Sequence, residues 1–154
     1  MNDHEMWMSY AFKEAEKAYD QNEVPVGAIV VFENRIIGRG YNQIEMLQDA
    51  TAHAEMIALT SAAATVGSKW LNGTTLYVTL EPCTMCAGAI VLMRLQTVVF
   101  GTHDPKAGGC SSLYRIVQDE RLNHRVELVT GILENKCSGI LKDFFAKLRG
   151  KNGG

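Results

Sequence analysis

The chain has no apolar run long enough to cross a bilayer. Val26 to Phe32 and Cys86 to Met93 fall far short of the roughly 20 residues that a spanning helix needs. It also lacks a basic-then-apolar leader: Asn2-Asp3-His4-Glu5 is polar and acidic, so a soluble cytoplasmic protein with no membrane contact is the expectation. It has no excess of positive charge. A formal net charge of −2 argues against non-specific affinity for nucleic acid, so any such contact must come from a local patch. Linkers, internal repeats and low-complexity stretches are missing except for the Gly-rich last few residues. The 154 residues, 47% of them hydrophobic, therefore suit a single core over residues 1–150, with a disordered tail expected at 151–154.

Cysteine is present four times, which without a secretion leader reads as reduced thiols rather than two disulfides. Cys137 falls on an apolar helical stripe and is expected in the core. Charge is distributed unevenly. The first 23 residues carry six acids against Lys13 and Lys17, whereas the end of the chain carries Lys142, Lys147, Arg149 and Lys151 against Asp143. A solvated helix face would account for that basic end, and so would a surface for a polyanion.

Met8, Ala11, Phe12, Ala15 and Tyr19 recur at helical spacing and predict an amphipathic helix from Asp3 to Asp20. Val26 to Phe32 reads as a buried strand, Glu33-Asn34 as a turn and Arg35 to Tyr41 as the returning strand of a hairpin. Thr51 is a candidate cap for a helix reaching Ala64, and Pro82 suits the first turn of a helix reaching Met93, after a strand from Thr75 to Leu80. A strand at Thr97 to Phe100, a Gly-rich loop, a short helix around Leu113 to Val117, a strand from Arg125 to Val129 and a last helix complete the pattern. Strands alternating with helices predict an α/β protein, a three-layer α/β/α sandwich on a five-stranded mixed sheet.

Two stretches carry the chemistry: Thr51-Ala-His53-Ala-Glu55 and Glu81-Pro-Cys83-Thr-Met-Cys86. Two thiolates and an imidazole suit Zn²⁺ in tetrahedral geometry, and three protein ligands leave the fourth position to water, as in a catalytic zinc site. Both stretches fall at helix starts, where unsatisfied N–H groups and the positive end of the helix dipole favour thiolate over thiol. Glu55, two residues from His53, is the candidate to handle the water's proton. Plainer readings exist for each residue: His53 as a surface histidine, Cys83 and Cys86 as a redox pair, and Glu55 as an acid complementing its helix dipole. Glu81, before Pro82, fits a hydrogen-bonding role toward the backbone near the cysteines.

His-x-Glu followed by Pro-Cys-x-x-Cys is a known signature of zinc nucleobase deaminases. The wider strings Glu23-Val-Pro-Val-Gly-Ala28, Thr79-Leu-Glu-Pro-Cys83, Met85-Cys-Ala-Gly-Ala89, Gly101 to Lys106, Asn123-His-Arg125 and Phe144-Phe145 extend the match over nearly the whole chain. In these residues the sequence resembles the bacterial tRNA-specific adenosine deaminases of the cytidine/deoxycytidylate deaminase superfamily. The resemblance implies a cytidine deaminase-like fold and one Zn²⁺ per subunit on His53, Cys83 and Cys86. It further implies Glu55 as catalytic proton shuttle, and hydrolytic conversion of adenosine to inosine at the wobble position of a tRNA anticodon stem-loop. A homodimer is implied as well, to which the apolar Val91-Leu92-Met93 run beside Arg94 could contribute.

By the same resemblance Asn42 contacts the target nucleotide, where composition alone would make it a turn residue. Asp104 and Lys106 lie in a loop beside the RNA, although they also fit a plain turn. Phe145, off the apolar stripe that takes in Phe144, is placed to stack on a base, with Lys147 and Arg149 near phosphates. His103 and His124 are chemically able to supply a fourth zinc ligand, but His103 reads rather as a loop side chain near substrate, and His124 as structural or RNA-contacting. Two positions depart from the family pattern: Ala50 stands where a proline is usual, and Cys110 occupies a small-residue loop. Zinc chemistry alone does not select adenine, so a deaminase of a free base or nucleoside, guanine or cytosine, is the alternative. The basic C-terminal group speaks against it. A non-catalytic zinc-stabilised RNA-binding module is a further alternative, against which Glu55 beside an open coordination position argues.

Overall fold

The computed structural model describes residues 2–153. Helix α1 (Asp3–Asp20) starts at Asn2, whose side chain accepts the Glu5 N–H at 2.8 Å. Strands β1 (Gly27–Phe32) and β2 (Arg35–Tyr41) form a hairpin whose two turn residues, Glu33 and Asn34, both have positive φ, the backbone twist that a tight two-residue connection requires. Four more elements follow: α2 (Ile44–Leu47), α3 (Ala54–Val66), β3 (Thr75–Leu80) and α4 (Thr84–Leu92). Strand β4 (Thr97–Thr102), a 3-10 turn at Ile116–Gln118, β5 (Glu127–Val129) and α5 (Glu134–Gly153) complete the chain.

The strands lie in the order β2-β1-β3-β4-β5. Strand β1 is antiparallel to both neighbours, and the β3–β4 and β4–β5 pairs are parallel, so β1 alone runs against the other four. The alternation along β1 sends Ala28 and Val30 to one face and Ile29 and Val31 to the other. The first face packs on α3 and α4 through Ala54, Ala58, Leu59, Ala87 and Ile90; the second packs on α1 and α5 through Met8, Ala11, Phe12 and Cys137. The α/β/α sandwich on a five-stranded mixed sheet is thus as expected, and Cys137 is a core residue.

Helix α3 lies unusually close to β2. A side-chain carbon at Gly40 would sit 2.7 Å from the Ala58 backbone nitrogen and collide with the Ala54 carbonyl, so only a hydrogen fits between strand and helix start. Gly40→Ala should therefore push the first turn of α3 off the sheet and cost about 1–3 kcal/mol, the usual range for overpacking a filled interior. Chemical denaturation of the two proteins measures this, and equal stability would show that the helix start can shift freely.

The details depart from the sequence expectations in several places. Helix α3 begins at Ala54 rather than near Thr51, because the Thr51 hydroxyl and N–H are both taken by Asp49 Oδ1 at 2.7 and 2.8 Å. Helix α4 begins after Cys83, leaving Pro82 just outside it. The helix expected around Leu113 to Val117 shrinks to the 3-10 turn, since the N–H groups of Leu113 and Tyr114 both turn back to the Gly108 carbonyl. Of the tail placed at 151–154, α5 continues through Gly153, and Gly154 lies outside the described residues. Among the described residues, no helix is long and apolar enough to cross a membrane.

Candidate metal and active site

Because β2, β3 and β4 run the same way, the residues that follow them, Asn42, Glu81 and His103, emerge on one edge of the sheet. Clefts of open α/β sheets form at such carboxyl edges. Helices α3 and α4 also start there, and the residue occupying the cap position is His53 in one and Cys83 in the other. A cap residue has extended backbone while its neighbours are helical, so its side chain stays at the helix mouth. Cys86 follows in the first turn of α4 and Glu55 in the first turn of α3.

His53 Nδ1 lies 3.5 Å from Cys83 Sγ and 3.6 Å from Cys86 Sγ. Bond lengths of about 2.3 Å to sulfur and about 2.0 Å to nitrogen, at tetrahedral angles, would place such donors about 3.5 Å apart. Both nitrogen–sulfur distances therefore match the spacing of a tetrahedral zinc, and all three donors lie within 4.8 Å of one another. Among the described residues they are the group of soft and hard donors close enough to share an ion, and neither His103 nor His124 joins them. Cys86 is buried, and His53 and Cys83 are half-buried, leaving the site open on one side.

The electrostatics agree with a site built for a cation. Hydrogen bonding from Cys86, against the opposing effect of burial and with help from His53, brings the Cys83 thiol down to about 4, while its hydrogen bond to Cys83 and burial push Cys86 up. His53 is raised, first by its hydrogen bond to Cys83, and the Ala50 carbonyl acts in the same direction. Burial pushes Glu55 up to about 7, with the charge of His53 pulling the other way. It is a carboxyl group able to take up and release a proton near neutral pH.

Asn42 supplies what Thr51 does not. Its Oδ1 accepts the Ala54 N–H at 2.8 Å, capping α3 from twelve residues away, while its own N–H is held by the Val26 carbonyl. Composition suggests only a turn residue here, because the partner is distant in sequence. Beyond it, α2 is anchored by Glu23, a buried carboxylate that accepts the N–H groups of Glu45 and Met46 at 3.0 and 2.7 Å. Sequence reasoning missed this role for Glu23. The C-terminal half of α5 crosses next to α2, with Phe144 and Leu148 facing Ile44 and Glu45 across a cleft of about 270 Å³. Phe145 and Arg149 are both exposed at this end. Lys147 is committed to Asp143 at 3.6 Å and to the face of Tyr19.

On the opposite side, the loop after β4 carries Asp104 and Lys106. Asp104 Oδ1 accepts the Lys106 and Ala107 N–H groups, so this carboxylate shapes the turn that exposes the Lys106 side chain. His103 stacks edge-on against Phe100 and stands 4.0 Å from Glu134, on the side of α5. His124 contacts the Leu95 carbonyl at 2.6 Å, a structural tie.

Comparison with known proteins places these residues in context. Residues 2–149 match the MafB19-like deaminase family. The tRNA-specific adenosine deaminase of Bacillus subtilis is 49% identical over 151 residues, covering 98% of this chain and 94% of that protein. Its counterpart in Aquifex aeolicus is 46% identical, covering 94% and 95% of the two chains. A structure solved in studies of A-to-I editing by tRNA:A34 deaminases superposes with a TM-score of 0.85 at 39% identity, covering 88% of this chain and 99% of that one. With its fold, its helix-start histidine and cysteines and its near full-length relatives in agreement, the chain belongs to the MafB19-like deaminase family, on the tRNA-specific adenosine deaminase branch.

Proposed function

We propose that the protein is a zinc-dependent hydrolase that deaminates adenosine to inosine at the wobble position of a tRNA anticodon loop. The observation that carries the chemistry is the meeting of three zinc-spaced donors with a buried glutamate at two adjacent helix starts. The choice of adenosine in tRNA rests on the relatives, which are named for that activity over nearly their full length. We read residues 1–150 as one deaminase domain acting in the cytoplasm, where its substrate is found.

His53 Nδ1, Cys83 Sγ and Cys86 Sγ would hold the ion, which would supply Lewis acidity and bring a water's pKa to about 7. Glu55 takes a proton from that water and delivers it to N1 of the purine as the water oxygen bonds to C6. It then takes the second proton from the new C6 hydroxyl and passes it to the departing amine; the C6–N bond breaks, ammonia leaves, and inosine remains with a C6 carbonyl and an N1–H. Asn42 at the mouth of α3 contacts the target nucleotide. Asp104 and Lys106 on one wall, and Phe145 and Arg149 on the α5 wall, receive the rest of the loop. Leu92, 78% exposed next to Val91 and Met93, gives a homodimer an apolar contact.

The test is kcat/KM for free adenosine, guanine and cytidine alongside an anticodon stem-loop. A loop base is already partly unstacked, and stacking contributes about 1–3 kcal/mol per base, so the stem-loop should be preferred by on the order of 10² or more. Its binding should weaken steadily as salt rises, because phosphate contacts release counterions. A free compound that outperforms the loop would replace the RNA substrate with a small-molecule one.

A further inference from the structure

Glu81 is a buried carboxylate, 2% exposed, and it forms no ion pair among the described residues. It is instead surrounded by donors from a single loop. Oε1 accepts the Asp104 N–H at 3.0 Å and the Ser112 hydroxyl; Oε2 accepts the N–H groups of Cys110, Ser111 and Ser112 at 3.2, 2.8 and 2.9 Å. Between these anchor points the chain leaves the sheet, presents Lys106 and returns. Gly108 passes so close that a side-chain carbon there would collide with the whole Glu81 carboxylate. The loop is therefore wound around an internal anion carried by β3's own continuation, one residue before Pro82 and two before Cys83.

This arrangement answers a geometric need. A lysine on an exposed loop can read a phosphate at a fixed place only if the loop cannot drift relative to the metal ligands. The Cys83–Gly108 bridge and the 2.8 Å bond from Gly109 N–H to the Pro82 carbonyl tie the same loop to the same segment. Glu81 supplies most of the remaining fixation, by charge-assisted hydrogen bonds stronger than neutral ones.

We propose that Glu81 is a positioning residue for RNA: its carboxylate fixes the 104–112 loop on the cysteine-bearing segment and thereby sets where Lys106 meets the substrate backbone. This rests on the reading of the loop as an RNA contact. A glutamine at this position would turn an NH2 group toward N–H donors in either orientation, loosening the loop without changing its length.

The experiment compares Glu81→Gln, Gly108→Ala, Lys106→Ala and the double variant Glu81→Gln/Lys106→Ala, each checked for one zinc per chain. Binding is read by fluorescence anisotropy with an anticodon stem-loop carrying unsubstituted purine at the target position, which has no amine to lose. Turnover is read with the adenosine stem-loop. Kd should rise about tenfold in each single variant, equivalent to about 1.4 kcal/mol, and kcat should stay within about threefold of the parent. The double variant should bind nearly as the single ones do, because both act through one contact, whereas independent effects would multiply to about a hundredfold. Unchanged Kd in Glu81→Gln and Gly108→Ala, multiplicative effects, loss of zinc, or a fall in kcat with Kd intact would each overturn the proposal. If Lys106→Ala itself binds as the parent does, or the parent fails to deaminate the stem-loop, the RNA reading beneath it is what fails.

Discussion

Glu55→Gln should keep its zinc, bind the stem-loop and lose on the order of 10³ in kcat, within the range that a positioned acid–base group contributes. The amide matches the carboxylate in size and fits the same buried place in the first turn of α3, so packing is preserved. What it cannot do is accept a proton from water and return it to the base. Burial holds the Glu55 carboxyl near 7, so at neutral pH both its protonation states are within reach, while an amide offers neither. The loss should appear in kcat rather than in KM, because proton transfer belongs to the transition state and not to binding. Single-turnover assays with metal analysis of the same sample decide it. Near-parental kcat in a zinc-loaded Glu55→Gln protein would assign the proton transfer to another group.

The second large effect concerns the ion. Cys83→Ala and Cys86→Ala should each lose most of the bound zinc, and chelation of the parent should lower its Tm by on the order of 10 °C. A ligand at a thousand times its dissociation constant stabilises the folded state by about 4 kcal/mol, and each kcal/mol is worth about 2–4 °C in a domain of this size. The reason lies in where the ligands sit. His53 and Cys83 are the residues at which two helices begin, so removing the ion leaves two thiol- and imidazole-lined helix mouths that must be satisfied otherwise. Equal zinc content in both cysteine variants would remove these residues from the ligand set.

The ligand motifs were legible in the sequence because each is local: His53-x-Glu55 and Cys83-x-x-Cys86 each fit within one helical turn. The strand–helix alternation was legible for the same reason, and α1 and β2 begin and end where the periodicity says. What was not legible depends on partners far apart. Asn42 caps α3 across twelve residues, and Thr51, the nearer candidate, is diverted to Asp49. Glu23 anchors α2 across more than twenty residues, and Glu81 gathers a loop 23 to 31 residues downstream. A carboxylate in sequence does not reveal whether it faces water, a cation or backbone N–H groups; only the fold decides. Lys147 shows the reverse case, a basic residue in a basic cluster whose charge is met by Asp143 and the Tyr19 ring.

The cap on α3 has one more effect, on hydrogen-bond polarity. An asparagine amide is ambiguous by nature: it can present its oxygen or its nitrogen to a substrate. Here the oxygen is engaged by the Ala54 N–H, so the orientation of the amide is settled by the helix. The NH2 group thus keeps both of its hydrogens for donation, whereas the oxygen keeps one lone pair beyond the one that the Ala54 N–H occupies. The same bond that starts the helix beside His53 thus also fixes which way round the amide lies.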